Sequence, residues 1–324
     1  MTIKKIVAEI VESKKECGGI REVYFVGCGG SLGGFYPAKI FLETEAVTIR
    51  TGWYNSNEFV HNTPKALGKN SVVITASHRG NTPETVKAAE LAHGMGVPVI
   101  ALTWAPGSPI TGAADYVVDY TFGPDKDIAG EKTMVALLAA AEILNQTEGY
   151  ANYDAFMDGV SKIDGIVKRA RKHVEKRALA FAKEYKDDQV IYTMGSGAGY
   201  GAAYMEDICI FMEMQWINSS SIHTGEFFHG PFEITDAEVP FVLQISEGPT
   251  RPLDERALRF LKKYAKRVEV LDAKDLGLST IDPSVVSYFN HSLFNNVYDV
   301  YNHALADERQ HPLTTRRYMW KVEY

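Results

Sequence analysis

The chain has 324 residues, 45% hydrophobic and 23% charged, with a formal net charge of −7. This is the composition of a soluble globular protein of about two domains. The acidic balance argues against a broad nucleic-acid surface, which needs clustered Lys and Arg, and Cys17, Cys28 and Cys209 form no CxxC pair that would suggest a disulfide framework or a zinc cluster.

Residues 2–16 read as an amphipathic polar helix ended by Gly18-Gly19, without the apolar run or cleavage site of a secretory signal. No apolar stretch approaches the ~20 residues needed to span a bilayer, so a cytoplasmic protein without a membrane partner is expected. Val23–Val26 is a short continuous apolar run, the pattern of a strand buried on both faces of a parallel sheet. The loop Gly27-Cys28-Gly29-Gly30-Ser31-Leu32-Gly33-Gly34 follows directly. A helix is expected over about 36–45, a second strand near 47–51 and a helix from about Ser56. The third strand, 71–76, runs into Ser77-His78-Arg79-Gly80-Asn81-Thr82-Pro83-Glu84-Thr85, then a helix over 86–95. Strands over 97–102 and 115–120 complete a rhythm that predicts a parallel sheet covered on both faces.

From Gly130 the pattern turns helical, with helices expected over 132–146, 153–163 and 164–185. The first pattern then returns: a strand over 189–194, a glycine loop over 195–201, a helix over 202–216, a strand over 241–245, a helix over 254–264 and a strand over 267–271. Residues 284–306 read as helix. Both halves open with strand, Gly-Ser-rich loop and helix, which predicts an architectural repeat with little residue identity between the copies.

Strand-to-helix junctions rich in Gly and Ser suit oxyanions, because backbone N–H groups, hydroxyls and the helix N-terminus converge there. Gly29–Ser31 and Ser77–Thr85 are two such junctions. In the second, Asn81 or Thr82 would equally serve as N-cap of a helix starting at Pro83. Gly27–Leu32 lacks the third glycine of GxGxxG, and Gly130-Glu131-Lys132-Thr133 is not a phosphate-binding GK[ST]. His223–His229 matches neither HExxH nor HxxEH, so no metal site is assigned.

The remaining candidates for chemistry are Glu213, set among Ile208, Ile210, Phe211, Met212, Met214 and Trp216, and His229, 16 residues later at a Gly-Pro turn. A carboxylate in apolar surroundings has its pKa raised toward that of a general base. An exposed or ion-paired helix Glu and a structural His are the plain alternatives. Residue pattern alone leaves the pair as possible acid/base partners.

Three groups of residues then carry a resemblance. Ser77-His78-Arg79-Gly80-Asn81-Thr82 resembles the phosphosugar-binding SxSGxT loop of the sugar isomerase (SIS) superfamily. Gly225-Glu226-Phe227-Phe228-His229-Gly230-Pro231 resembles its GE-x-x-HGP element. The Glu213–His229 spacing is that of the isomerase domain of glucosamine-6-phosphate synthase. Within the superfamily the chain is most similar to the deglycases of phosphorylated Amadori compounds, above all those of 6-phosphofructose-aspartate, with fructoselysine 6-phosphate deglycases more distant. Tyr54-Asn55-Ser56, Asp127–Thr133 and Arg309–Tyr318 fit that group.

The resemblance implies an α/β fold of two SIS domains, over residues 1–165 and 166–324, each a flavodoxin-like αβα sandwich with a parallel sheet. It implies Glu213 as general base and His229 as general acid. Gly30, Ser31, Ser77, His78, Arg79, Gly80 and Thr82 would form the substrate-binding loops, with hydroxyls and backbone N–H groups on the 6-phosphate. It implies a small phosphorylated sugar–amino acid conjugate as substrate, no cofactor, and a homodimer with the site at the interface, His229 reaching a neighbour's Glu213. Two departures stand out. Arg79 replaces the second Ser of the loop, and Ile210 stands where the synthase has a lysine; Lys321 only approximates the synthase's near-terminal lysine. An aspartyl moiety would need extra cations, for which Arg79, Lys132, Arg316 and Arg317 are available. A fructoselysine 6-phosphate deglycase, a simple aldose–ketose phosphosugar isomerase and a non-catalytic phosphosugar sensor are the competing expectations.

Overall fold

The structure, a computed structural model, describes residues 1–124 and 126–323. The chain divides into two units, Met1–Ser161 and Lys162–Tyr324. In the first, α1 (Ile3–Lys14) leads to β1 (Glu22–Gly27), the short α2 (Gly30–Gly34) and α3 (Tyr36–Glu45). Then come β2 (Arg50–Asn55), α4 (Ser56–His61), β3 (Ser71–Ala76), α5 (Pro83–Gly94), β4 (Val99–Thr103), α6 (Pro109–Gly112), β5 (Tyr116–Asp119) and α7 (Lys132–Thr147). All five strands are parallel, in the order β2-β1-β3-β4-β5. This is the flavodoxin-like order, whose switch point for ligands lies between β1 and β3. Every residue of β3 and β4 is buried, as the unbroken apolar runs predict. Small Ala88, Ala89 and Ala92 bring α5 close to the sheet beside Val26, Val73 and Val99.

The long α8 (Tyr153–Tyr185) replaces the two helices expected over 153–163 and 164–185. Gly165 suggests a break, but an interior glycine costs only ~1 kcal/mol against alanine. A continuous buried stripe of Phe156, Val160, Ile163, Val167, Ala170, Val174, Ala178 and Phe181 outweighs it.

The second unit holds β6 (Tyr192–Gly195), α9 (Tyr200–Met205), β7 (Ser221–His223), β8 (Phe241–Ile245), α10 (Arg251–Tyr264), β9 (Val268–Asp272) and α11 (Asn290–Glu308). Its parallel sheet runs β7-β6-β8-β9, the order of the first sheet without the fifth strand. The repeat expected from the sequence is therefore present in the topology.

Two further expectations are corrected. The second strand begins at Arg50, not near Val47, because the Glu148 carboxylate accepts the backbone N–H groups of Val47, Thr48 and Ile49 at 2.7, 2.8 and 3.0 Å. Those donors are lost to a ladder. The helix expected over 202–216 is α9 followed by a π-helix, Glu206–Gln215. Its buried positions, Glu206, Asp207, Phe211 and Gln215, recur every four to five residues, the wider period of i→i+5 bonding. It ends at Trp216, a non-glycine residue at φ 57, a conformation costing roughly 1–3 kcal/mol. β7 lies where no element is expected from the sequence; only Ile222 of its three residues is buried, too little for a pattern to register.

Among the described residues, no helix is long and apolar enough to cross a membrane.

Candidate active site

The first unit brings two loops to the carboxyl ends of the adjacent strands β1 and β3. After β3, Ser77 Oγ lies 3.0 Å from Thr82 Oγ1 and accepts from the Thr82 N–H at 3.4 Å. Thr82 is the N-cap residue of α5, but its side chain makes no cap bond. The hydroxyl therefore faces Ser77 rather than the helix, and the positive N-terminal end of a 12-residue helix lies beside the loop. Gly80 turns the loop at φ +64, and its N–H is used internally, on Ser77 O at 3.1 Å. A Cβ there would stand 1.8 Å from Ser108 Oγ, so glycine is needed both for conformation and for space. After β1, Ser31 is buried and its N–H bonds Cys28 O at 3.0 Å.

Lys132, the first residue of α7, reaches back to this loop. Its Nζ donates to Gly30 O at 3.0 Å and to Ser31 Oγ at 3.4 Å. His78 Nδ1 lies 2.8 Å from Tyr120 Oη, and its ring stacks on Trp104 at 5.4 Å and packs against Phe122 at 4.4 Å. Burial, then Lys132 and Arg79, lowers the His78 pKa and favours the neutral ring. Arg79 itself is exposed. A half-buried hydroxyl pair, a helix start and a lysine are the parts of a phosphate cradle.

The corresponding loop of the second unit follows β8. There Asp254 in the first turn of α10 accepts from the Ser246 N–H at 2.9 Å and from Thr224 Oγ1 at 2.7 Å. Here the chain's own carboxylate lies at the start of the helix, where the first unit has the Ser77 and Thr82 hydroxyls.

Glu213 lies on the last turn of the π-helix, on the wall of a cavity of about 630 Å³. The opposite wall is the C-terminal segment, including Arg316, Arg317 and Tyr318. Arg316 Nη2 donates to Glu213 Oε1 at 2.7 Å. Burial raises the Glu213 pKa, against the opposing pull of Arg316.

His229 is held differently. Phe227 is fully buried against Phe241 and Phe260, and Phe228 packs on Phe260 under the Arg256 guanidinium, 4.0 Å from its ring. The two aromatic anchors fix the turn and leave His229 exposed, its N–H on Glu226 O at 2.8 Å. Among the described residues Glu213 pairs with Arg316, and no hydrogen bond or ion pair joins it to His229.

Beneath Glu213, the π-helix starts with two buried carboxyls. Glu206 accepts from Asn302 Nδ2 at 3.0 Å. Asp207 accepts from Thr193 Oγ1 at 2.8 Å and from Ser219 Oγ. Burial pushes Glu206 up to about 8 and Asp207 up to about 7.

Sequence reasoning offers Lys132 and Arg316 as cations for an amino-acid moiety. The structure puts Lys132 instead on the Gly30–Ser31 loop, and buries Arg316 on the base candidate. Trp216, a wall of the cavity, is in the sequence only an apolar neighbour of Glu213; a positive φ at a tryptophan has no signal in a single sequence.

The SIS domain model matches residues 20–145. Fructosamine deglycase FrlB of Bacillus subtilis (strain 168) is 45% identical over 94% of this chain and 93% of its own length. Fructoselysine 6-phosphate deglycase of Escherichia coli O157:H7 is 29% identical over 83% of this chain and 77% of its own. A crystal structure from Salmonella typhimurium LT2, described as a candidate phosphosugar isomerase, superimposes with a TM-score of 0.96 at 50% identity, covering 100% of this chain and 96% of the other. The chain belongs to the SIS family, among the fructosamine and fructoselysine 6-phosphate deglycases.

Proposed function

We propose that the protein hydrolyses a 6-phosphorylated Amadori compound, 6-phosphofructose-aspartate, to glucose 6-phosphate and aspartate. The names of the Bacillus and Escherichia relatives support the deglycase class. The observation that carries the reading is Glu213, a carboxylate raised in pKa by burial on the wall of a cavity large enough for a sugar conjugate.

The substrate is a 1-amino-1-deoxyketose. Ser31, Ser77, Thr82 and Lys132 hold its phosphate. His229 delivers a proton to the ring oxygen and the chain form opens. Glu213 removes a proton from C1, acidified by the C2 carbonyl, and the electron pair moves into a C1–C2 enaminol. Reprotonation at C2 gives the imine of glucose 6-phosphate. Water adds to C1, the C1–N bond breaks, and the amino acid leaves. These are proton transfers and one hydrolysis, and no cofactor is assigned. The exposure of His229 supports a homodimer in which it serves the Glu213 of a second copy.

The test offers phosphorylated fructose-aspartate and fructose-lysine side by side, following glucose 6-phosphate by a coupled dehydrogenase and free amino acid by chromatography. Equimolar release is expected, faster from the aspartyl conjugate. In Glu213→Gln, kcat should fall about 10²–10⁴-fold with phosphosugar binding retained. Ketose–aldose conversion without amino-acid release would point to a simple isomerase, equal rates would remove the aspartate assignment, and a near-wild-type kcat would remove Glu213 as the base.

A further inference from the structure

The cavity beside Glu213 holds two guanidinium groups that these proton transfers do not use. Arg316 is 9% exposed. Besides Glu213, it donates from Nη1 to Leu313 O at 2.8 Å and to Thr315 O at 2.7 Å, and its Nε–H is buried without an acceptor. Arg317 is exposed, stands 4.2 Å over the Trp216 ring, and has no carboxylate partner among the described residues.

An ion pair is a poor resting state for a base. The guanidinium stabilises the carboxylate charge and weakens its pull on a C1 proton. Breaking the pair would strengthen Glu213 as a base, and a second carboxylate is the natural competitor for a guanidinium fork.

We infer that Arg316 and Arg317 read the amino-acid moiety of the substrate, its α-carboxylate drawing Arg316 off Glu213 and the side-chain carboxylate of an aspartyl conjugate meeting Arg317 over Trp216. The inference rests on the deglycase reading and adds to it the specificity residues. One guanidinium–carboxylate pair is broken and one is formed, so charge stays balanced and little desolvation is added. Recognition of the amino acid and release of the base are one exchange. A conjugate without a carboxylate leaves Arg316 on Glu213, and discrimination falls on kcat as well as on KM.

The experiment compares propylamino, alanyl and aspartyl conjugates of fructose 6-phosphate in the wild type, Arg316→Gln and Arg317→Ala. In the wild type, kcat for the propylamino conjugate should lie about tenfold or more below that for the alanyl one. In Arg316→Gln, kcat for the propylamino conjugate should rise while KM for the alanyl conjugate rises about tenfold. Arg317→Ala should narrow the aspartyl-over-alanyl preference about tenfold. A parallel loss on all three conjugates in Arg316→Gln, or an unchanged aspartyl preference in Arg317→Ala, overturns the inference. If Arg316→Gln does not fold, Arg316→Lys, which keeps the charge and loses the fork, replaces it.

A binding arm judges the inference separately from turnover, using the reduced, non-hydrolysable glucitol 6-phosphate conjugates of alanine and propylamine. An affinity ratio of about ten in the wild type that falls toward one in Arg316→Gln supports it; the same ratio in both proteins sinks it. Should the wild type release no amine from any conjugate, the deglycase reading fails, and this arm still decides whether the tail reads a carboxylate.

Discussion

Replacing Glu206 by glutamine should flatten the dependence of stability on pH. Glu206 is buried between the π-helix and α11, with Asp207, Asp299, Tyr298 and Asn302 around it. Burial is the main reason its pKa stands at about 8 rather than near 4.5, and the neighbouring carboxylates add to it. A carboxyl whose native pKa is raised binds its proton more tightly folded than unfolded. Its stabilising contribution is complete below the ordinary pKa and is lost as pH rises through about 8. Inside that window each pH unit removes at most about 1.4 kcal/mol. From pH 6.0 to 7.5 the loss is then at most ~2 kcal/mol, or roughly 4–8 °C in Tm for a unit of this size. Glutamine mimics the protonated form: its carbonyl still accepts from Asn302, and no proton is lost. The assay is thermal unfolding of the wild type and Glu206→Gln at both pH values. The other titrating groups are common to both, so the difference between the curves isolates residue 206. Wild-type Tm should fall more steeply; curves that stay parallel would refute the argument.

Lys132→Gln should raise KM for the phosphosugar about tenfold or more with a smaller change in kcat, because Lys132, which stands on the Gly30–Ser31 loop, would no longer supply the proposed charge-assisted contact to the phosphate; an unchanged KM in steady-state kinetics would take Lys132 out of the cradle. Gly80→Ala should cost about 1–3 kcal/mol in denaturant unfolding and weaken phosphosugar binding, since the loop must give up both its φ of +64 and its contact with Ser108. A stability equal to wild type would mean the turn relaxes freely. Mixing Glu213→Gln with His229→Ala subunits should restore activity toward a quarter to a half of wild type if two chains share each site, with the exact fraction set by the mixing statistics. No recovery would mean that each chain supplies its own acid and base.

Local chemistry was legible in the sequence, and contacts across the chain were not. The apolar runs of β1, β3 and β4 and the Ser77–Thr82 loop are contiguous, so their residues announce both the strand and the polar cradle after it. Displacement of the second strand depends on Glu148, a distant residue whose carboxylate takes three backbone donors. Gly165 looks like a break until the apolar stripe of α8 is followed through it. The Arg316–Glu213 pair joins the tail to the middle of the chain, and only the fold reveals which carboxylate Arg316 meets. The π-helix is the least legible element, because the residues of Glu206–Gln215 would read equally well as an α-helix.

That winding has a geometric consequence. An α-helix turns about 100° per residue and a π-helix about 80°, so their angular phases drift apart by about 20° at each step. Between Glu206 and Glu213 the drift accumulates to roughly two-fifths of a revolution. With α winding, the same residues could not at once keep Glu206 and Asp207 inward and aim Glu213 at the cavity wall occupied by Arg316. The bearing of the carboxylate is thus stored in the backbone pitch rather than in the identity of any side chain, and residue substitutions that leave Glu213 in place can still misdirect it.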